Sequence, residues 1–554
     1  CLMTLIIFSI IFFVGRQGLL TFTTVSPLEF FFSSVWDPST GKFGAAAFIV
    51  GSVVSTLLAV LLGTPLGLLG AIFLAKVAPG VLKQVMRPAV DLYVAIPSVV
   101  YGYIGLTLLV PFLREFFGAA TGFGVMAASL VLAIMILPTI LSLSVDAIQA
   151  VSKSMEEASL ALGATWWQTM IHVVLPAAAP GIMTAVVLAM ARAVGETMAV
   201  QMLIGNTPQI VTSLFTPTST LTSNIVVEMG NTPFGSVWGQ CLVPDGLCAA
   251  AAVIRDDSAD SPLWTREGGL LMNSKVQNHI AVAGLWVTGL FILSLLAAFL
   301  GYILYKGLPV LNFHFIFAKS SDIMAGGGVG AQLFNSFYML LLSMIISIPL
   351  ALGAGIYLAE YARDNRLTKC IRLSVESLAT VPSIVLGLFG MIIFVNTMHL
   401  GFSMLGGALT LVLLNLPMLV RVTEEAIRTV PKAYEEASLA LGATKLQTIC
   451  KVVLPNALPG IITGITLTAG RALGETAILI FTAGTTVSRY LYDTDVMAGG
   501  ETLAVHLWYL MSAGLVPDRD LIANGIGALL ILSILVLNFI LVLPLRLWQR
   551  QSRS

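Results

Sequence analysis

The sequence predicts an all-α integral membrane protein made of two homologous helical bundles, each of about six spans. Three observations predict it. Hydrophobic residues make up 57% of the chain and charged residues 10%, with a mean hydropathy of +0.95, which is outside the range of water-soluble domains. Apolar runs long enough to cross a bilayer recur throughout, and hydrocarbon forbids open backbone structure, so the spans are helices. Residues 156–197 (EEASLALGATWWQTMIHVVLPAAAPGIMTAVVLAMARAVGET) recur without a gap at 435–476 (EEASLALGATKLQTICKVVLPNALPGIITGITLTAGRALGET), with 27 of 42 positions identical. Such a repeat marks what both halves must do.

In chain order, the first half carries spans near 1–14, 46–76, 88–112, 124–145 and 177–205. The second carries them near 280–305, 333–361, 373–397, 403–423, 456–483 and 521–546. The run at 1–14 is short and opens on Cys1, which reads as a truncated start rather than a cleaved leader. Pro65, Pro97 and Pro138 have counterparts in Pro349, Pro382 and Pro417, so the duplication extends beyond the strongest block. Proline inside a span is expected to kink it, with neighbouring helices compensating the lost hydrogen bond.

Orientation follows from lysine and arginine in short loops. Lys76, Lys83 and Arg87 lie between the second and third spans, and Arg363, Arg366, Lys369 and Arg372 in the matching loop of the other half. Lys153, Arg428, Lys432, Lys445 and Lys451 lie in or beside the repeated block, and Arg546, Arg550 and Arg553 close the chain. All of these sites belong on the cytoplasmic face. The stretches 206–237 and 484–520, rich in Thr, Gly and Pro, then read as outward loops.

Residues 241–271 break the pattern. Domain 1–240 has five spans and domain 272–554 has six, and an odd count would insert the second half upside down. Cys241–Ile254 is short, Ala-rich and interrupted by Pro244 and Asp245. The segment is expected to be the frame-shifted remnant of a sixth helix, with a shift near Gln240 and an independent second polypeptide starting at Met272. The alternative is a genuine fusion linker.

Zero net charge gives no reason to expect nucleic-acid binding. The five cysteines (Cys1, Cys241, Cys248, Cys370, Cys450) show no metal-ligand spacing, so no metal site or disulfide framework is expected. There is no G-x-x-x-x-G-K-[ST] phosphate loop, H-E-x-x-H motif or nucleophile elbow, so the chain is not read as an enzyme. His172 and His279 read as loop or interface residues, and Asp146, Arg421, Glu424 and Glu425 as boundary charges.

Three constellations remain. In the repeated block, Glu156 and Glu157, like Glu435 and Glu436, start a short helix, where carboxylates suit the positive end of the dipole. Ala158 and Ala437 permit close approach, and Gly163 and Gly442 suit a turn. The second constellation is Arg192-Ala-Val-Gly-Glu196-Thr197, matched by Arg471-Ala-Leu-Gly-Glu475-Thr476. Arg and Glu four apart share a helical face and can pair, and ionisable groups inside a span face protein or water. One reading is a structural ion pair that locks helices. The other is an anion pathway, with Arg192 and Arg471 as planar forks for an oxyanion, each tethered by its Glu, and Thr197 and Thr476 as hydroxyl donors. The third pairs Ser98 with Ser383, each following a helix-distorting proline (Pro97, Pro382), with Gly102 and Gly387 four residues on. It offers a pore lining or small-residue helix packing.

EEASLALGAT followed by VVLP resembles the EAA loop of ATP-binding-cassette importer permeases. The proline–serine helix and the R-A-[VL]-G-E-T ending make the first half resemble the PstC permeases, and the second half the PstA permeases, of bacterial phosphate-specific importers. The resemblance covers nearly the whole chain except 241–271. It implies two type I, MetI-like permease bundles in the bacterial inner membrane, the first missing its last helix, with PstC–PstA pairing within or between chains. It further implies that Glu156, Glu157, Ala158, Gly163, Glu435, Glu436, Ala437 and Gly442 belong to loops that dock an ATPase. The partners it implies are two copies of a PstB-like ATPase, which uses ATP and Mg, a PstS-like phosphate-binding protein, and membrane lipid. No cofactor is expected on this chain itself. Alternatives are a permease for molybdate or sulfate, a secondary transporter, and a non-functional frame-shifted product. The common orientation of the halves and their docking loops argue against a secondary transporter.

Overall fold

The apolar runs become helices. The computed structural model describes residues 2–229, 232, 241–242, 274–321, 324–363, 365–488 and 490–553. Almost all of 241–271, and with it the expected frame-shifted segment and the domain boundaries drawn around it, lies outside the described residues.

The first half comprises α1 (Leu2–Thr21), α2 (Ala46–Ile72), α3 (Gly80–Ala95), α4 (Ser98–Ile104), α5 (Val125–Gln149), α6 (Lys153–Ala161), α7 (Leu175–Gly195), α8 (Met198–Gln201) and α9 (Leu221–Met229). The second repeats this order in α10 (Ser274–Gly307), α11 (Gly330–Ile356), α12 (Arg366–Thr380), α13 (Ser383–Gly390), α14 (Met404–Arg428), α15 (Lys432–Ala440), α16 (Leu454–Leu473), α17 (Ala477–Thr482) and α18 (Leu503–Ser512), and then adds α19 (Arg519–Arg553). Among the described residues, nine helices are long and apolar enough to cross a membrane, or ten if one bent pair counts as a single span. This is an all-α, multi-pass membrane architecture.

Three expectations are corrected. The stretches 88–112 and 373–397 are not single kinked spans: Pro97 and Pro382 break them. Ile96 and Val381, each preceding a proline, take extended conformations (ψ 131° and 129°), the geometry that a following proline ring favours. In the second half the two pieces, extended to Thr397, meet at 98°. Pro65, Pro138, Pro349 and Pro417, by contrast, sit inside continuous helices. The expected helix 177–205 stops at Gly195 and 456–483 stops at Leu473, each followed by a short separate helix. The segments read as outward loops contain the apolar helices α9 and α18, folded back into the protein, where Leu221, Ile225, Leu503 and Leu507 are buried.

The bundles exchange their first helices. α1 packs on α12 and α13 of the other half, with Val14 fully buried. α10 packs reciprocally on α2, and Tyr93 O–H donates to the Leu296 carbonyl at 2.7 Å. α19 lies against α10, α16 and α18. On the outer side a small hairpin (Trp36–Asp37 with Lys42–Phe43) joins Phe30 and Phe48 in an aromatic cluster. The outer segment of the second half is pinned by buried polar groups. His506 contacts Glu501 at 2.8 Å, and Gln332 donates to the same carboxylate oxygen at 2.8 Å.

Each long helix that precedes or carries a site contains one wide π-turn at matching places: Phe73–Val77 and Tyr357–Tyr361, and Met170–Val174 and Ile449–Val453. Such turns are rare and concentrate at functional positions.

Candidate functional site: a two-arginine cavity between the halves

Four backbone breaks converge. Pro97 caps α4, Pro382 caps α13, and α7 and α16 end at Gly195 and Leu473. Non-helical backbone at membrane depth is tolerated where it is buried or lines a cavity. Here it lines a cavity of about 370 Å³ that includes Ser98, Arg192, Glu196, Thr197, Ser383, Arg471 and Glu475. The two halves thus bring to one place nearly all the pathway residues expected from the sequence.

The expected Arg–Glu pairing is not formed. An i,i+4 pair needs continuous helix, but Glu196 follows the end of α7 with ψ 131°, and Glu475 lies beyond the end of α16. Glu196 instead accepts from the Ala199 amide at 3.4 Å, and Glu475 is approached by the Ser383 hydroxyl and the Ile478 amide. The four charges still act on one another across the cavity, since Arg471 interacts electrostatically with Glu475, Arg192 and Glu196.

The two arginines differ. Arg192 is half-buried and donates from Nη1 to Thr139 Oγ1 at 3.1 Å. The residue matching Thr139 in the other half is Met418, which also lines the cavity and offers no hydroxyl. Arg471 is exposed to the cavity and has no hydrogen-bond or ion-pair partner among the described residues. Thr139 and Met418 were not singled out from the sequence, although aligning the two halves pairs them.

Both threonine hydroxyls turn back on the chain. Thr197 Oγ1 and Thr476 Oγ1 turn back to the carbonyls of Gly195 and Gly474, both at 3.3 Å. Thr476 is buried and does not line the cavity. Ser98 and Ser383 do line it, half-buried, at symmetric positions. Gly102 and Gly387 serve packing: a Cβ at either would press on Ala199 or on Ile478.

The cavity is closed on one side. Met198–Ile204 are all buried, as are Ala477–Ala483 except for half-buried Ile480. The flanking wall residues Val94, Leu188, Ala379 and Leu467 lie on the stretches of α3, α7, α12 and α16 that lead back to the basic loops. With basic loops in the cytoplasm, this is an inward-facing arrangement.

The repeated block forms two matching helix–turn–helix units. α6 and α15 begin at Lys153 and Lys432, three residues before the expected glutamates, and neither buries a residue. Gly163 and Gly442 sit at φ +88° and +86°, the left-handed region in which glycine closes a helix. Thr165–Gln168 and Thr444–Gln447 then form reciprocal capping boxes that start the next helix. Ion pairs tie each unit to its own half: Glu156 to Lys76, and Lys445 to Glu360 with the charges reversed. Leu162 and Leu441 are 89% and 90% exposed at the tips. Each unit thus carries an exposed apolar tip on the side of the basic loops.

The family model for the binding-protein-dependent transport system inner membrane component matches residues 63–254 and again 351–553. The chain belongs to that family. Among relatives, it is 45% identical over 277 residues to the probable ABC transporter permease protein YqgI of Bacillus subtilis, covering 48% of this chain and 94% of the relative. It is 38% identical over 238 residues to the phosphate transport system permease protein PstC of Mesorhizobium japonicum, covering 40% and 72%. It is 41% identical over 180 residues to the PstA of Xylella fastidiosa, covering 32% and 62%. This importer permease is a transport component and not an enzyme. Its family implies a separate ATPase and a substrate-binding protein as partners.

Proposed function

We propose that this permease carries inorganic phosphate inward by alternating access. The observation that carries the reading is Arg471, an arginine without a hydrogen-bond or ion-pair partner among the described residues, in one cavity with two carboxylates. The guanidinium fork suits a tetrahedral oxyanion. Glu196 and Glu475 can accept a hydrogen bond from an anion that keeps a P–OH group, whereas a fully ionised sulfate or molybdate offers them only repulsion. Relatives named as phosphate permeases support the same reading. In the cycle, a PstS-like protein delivers phosphate to the outer face. Two PstB-like ATPases close on ATP and Mg, the coupling units move, and the cavity re-aims between the two sides. Phosphate passes Arg192 and Arg471, with Ser98 and Ser383 as neutral donors, and is not chemically changed.

The test is uptake into proteoliposomes containing the permease, ATPase and binding protein. Radiolabelled phosphate should accumulate with ATP, arsenate should compete, and sulfate and molybdate should not. Accumulation of sulfate or molybdate with exclusion of phosphate would overturn the assignment.

A further inference from the structure

The closed side of the two-arginine cavity is a plug that both halves build. Met198 of the first half and Ala477 of the second line the cavity. Both belong to one buried apolar cluster with Val226 on α9, Leu388 on α13 and Phe481 on α17. Beside it, α18 is anchored at its base to its own half, through the buried contacts of His506 and Gln332 with Glu501. Half a turn further on it reaches the other half. Trp508 Nε1–H donates to Gln201 Oε1 on α8 at 2.9 Å, and Gln201 is buried.

The duplication supplies the comparison. Extending the gapless alignment of the repeated block pairs Gln201 with Ile480, and matching Thr220-Leu221 to Thr502-Leu503 pairs Trp508 with Val226. Val226 is in the apolar cluster and Ile480 packs against it. One side of the plug is therefore closed by apolar burial alone, and the other by a directional bond as well. Apolar burial is non-directional and tolerates small displacements. A buried hydrogen bond needs both partners in place, and stranding one of them costs more than the bond itself contributes. In the shut plug each group depends on the other, whereas in an opened one water satisfies both.

We propose that Gln201 and Trp508 form the latch of an outer gate, a bond between the halves that holds the cavity shut from outside and breaks when they part. His506 would keep the base of α18 with its own half while Trp508 releases Gln201. The proposal rests on the alternating-access reading, and not on which anion is carried.

The experiment places one cysteine in the cavity lining, Ala191→Cys, in a chain whose five native cysteines are replaced. Spheroplasts producing this permease with its ATPase receive a membrane-impermeant maleimide from outside. Labelling should be slow with the latch intact. Trp508→Phe and Gln201→Leu each strand one buried polar group and should speed it at least about fivefold. The double variant strands neither and should return to the slow rate. Slow labelling in both single variants, or a double variant as open as the singles, would overturn the latch. So would rates that simply follow the melting temperatures of the three variants. An ATPase variant that binds ATP without hydrolysing it should expose residue 191 to label with the latch intact or removed. No labelling in that state would overturn alternating access itself, and the latch with it.

Discussion

Gly474 lies against Pro97 of the opposite half so closely that a Cβ there would come within 2.6 Å of the proline ring. The reciprocal contact, Gly195 on Pro382, would leave 3.3 Å. The two halves therefore meet at the cavity through a crossed pair of glycine–proline contacts, and the proline side of each is a rigid ring. Gly474→Ala should destabilise the assembled permease by about 1–3 kcal/mol through overpacking, and Gly195→Ala by distinctly less. Thermal unfolding of the two variants in the same detergent checks the order, and the reverse order would contradict the geometry.

The inequality of the arginines predicts unequal phenotypes. Arg471→Ala removes a guanidinium free to bind the anion, and loss of a charged hydrogen bond of about 1.5–3 kcal/mol corresponds to roughly 10- to 100-fold slower uptake. Arg192→Ala should cost less. Met418→Thr gives Arg471 the tether that Arg192 has in Thr139, and should weaken uptake although the charge is kept. Kinetics of phosphate uptake would separate these outcomes, and unimpaired transport by Arg471→Ala would remove that residue from the path.

Coupling should fail at the tips. Leu162→Asp and Leu441→Asp change nothing inside the protein, because both side chains are almost fully exposed. Each should nevertheless reduce co-purification of the ATPase, and the double variant should abolish it while the permease keeps its melting temperature.

The tethers of the coupling units make a charge-swap test. Lys76 and Glu156 pair in the first half with 17% and 20% of their side chains exposed. Lys76→Glu should weaken ATP-driven uptake, and adding Glu156→Lys should restore it, because the swap re-forms the ion pair with its charges exchanged. The coupling energy in the cycle should be about 1 kcal/mol or less. Failure of the double variant to recover would mean that Lys76 acts outside this pair.

Much of this arrangement could be read from the residues, and what could not has a physical cause. The duplication, the coupling turns at Gly163 and Gly442 and the clustering of Arg192 with Arg471 follow from pattern and side-chain chemistry. The helix ends at Gly195 and Leu473 were hidden because Met198–Ile204 and Ala477–Ala483 continue the apolar run, and hydropathy reports burial without regard to backbone conformation. Pairing Arg192 with Glu196 assumed helix at that point and failed with it. Pro97 read as a kink because Pro65 and Pro138 look alike in sequence. Only the extended residue before Pro97 distinguishes it, and tertiary packing decides that. The exchange of α1 and α10 between bundles leaves no local signal, since a lipid-facing stripe and a partner-facing stripe are equally apolar.

The wide turns at Met170–Val174 and Ile449–Val453 stand between each docking unit and its arginine. A π-turn carries one residue beyond the α-helical count, and one residue is worth about 100° of rotation about the axis. The extra residue therefore sets the phase between the helix–turn–helix unit and the arginine that follows it. Excising it in one half would turn that half's guanidinium about 100° relative to the helix–turn–helix unit and point it at the wrong neighbour, a gearbox with one tooth missing.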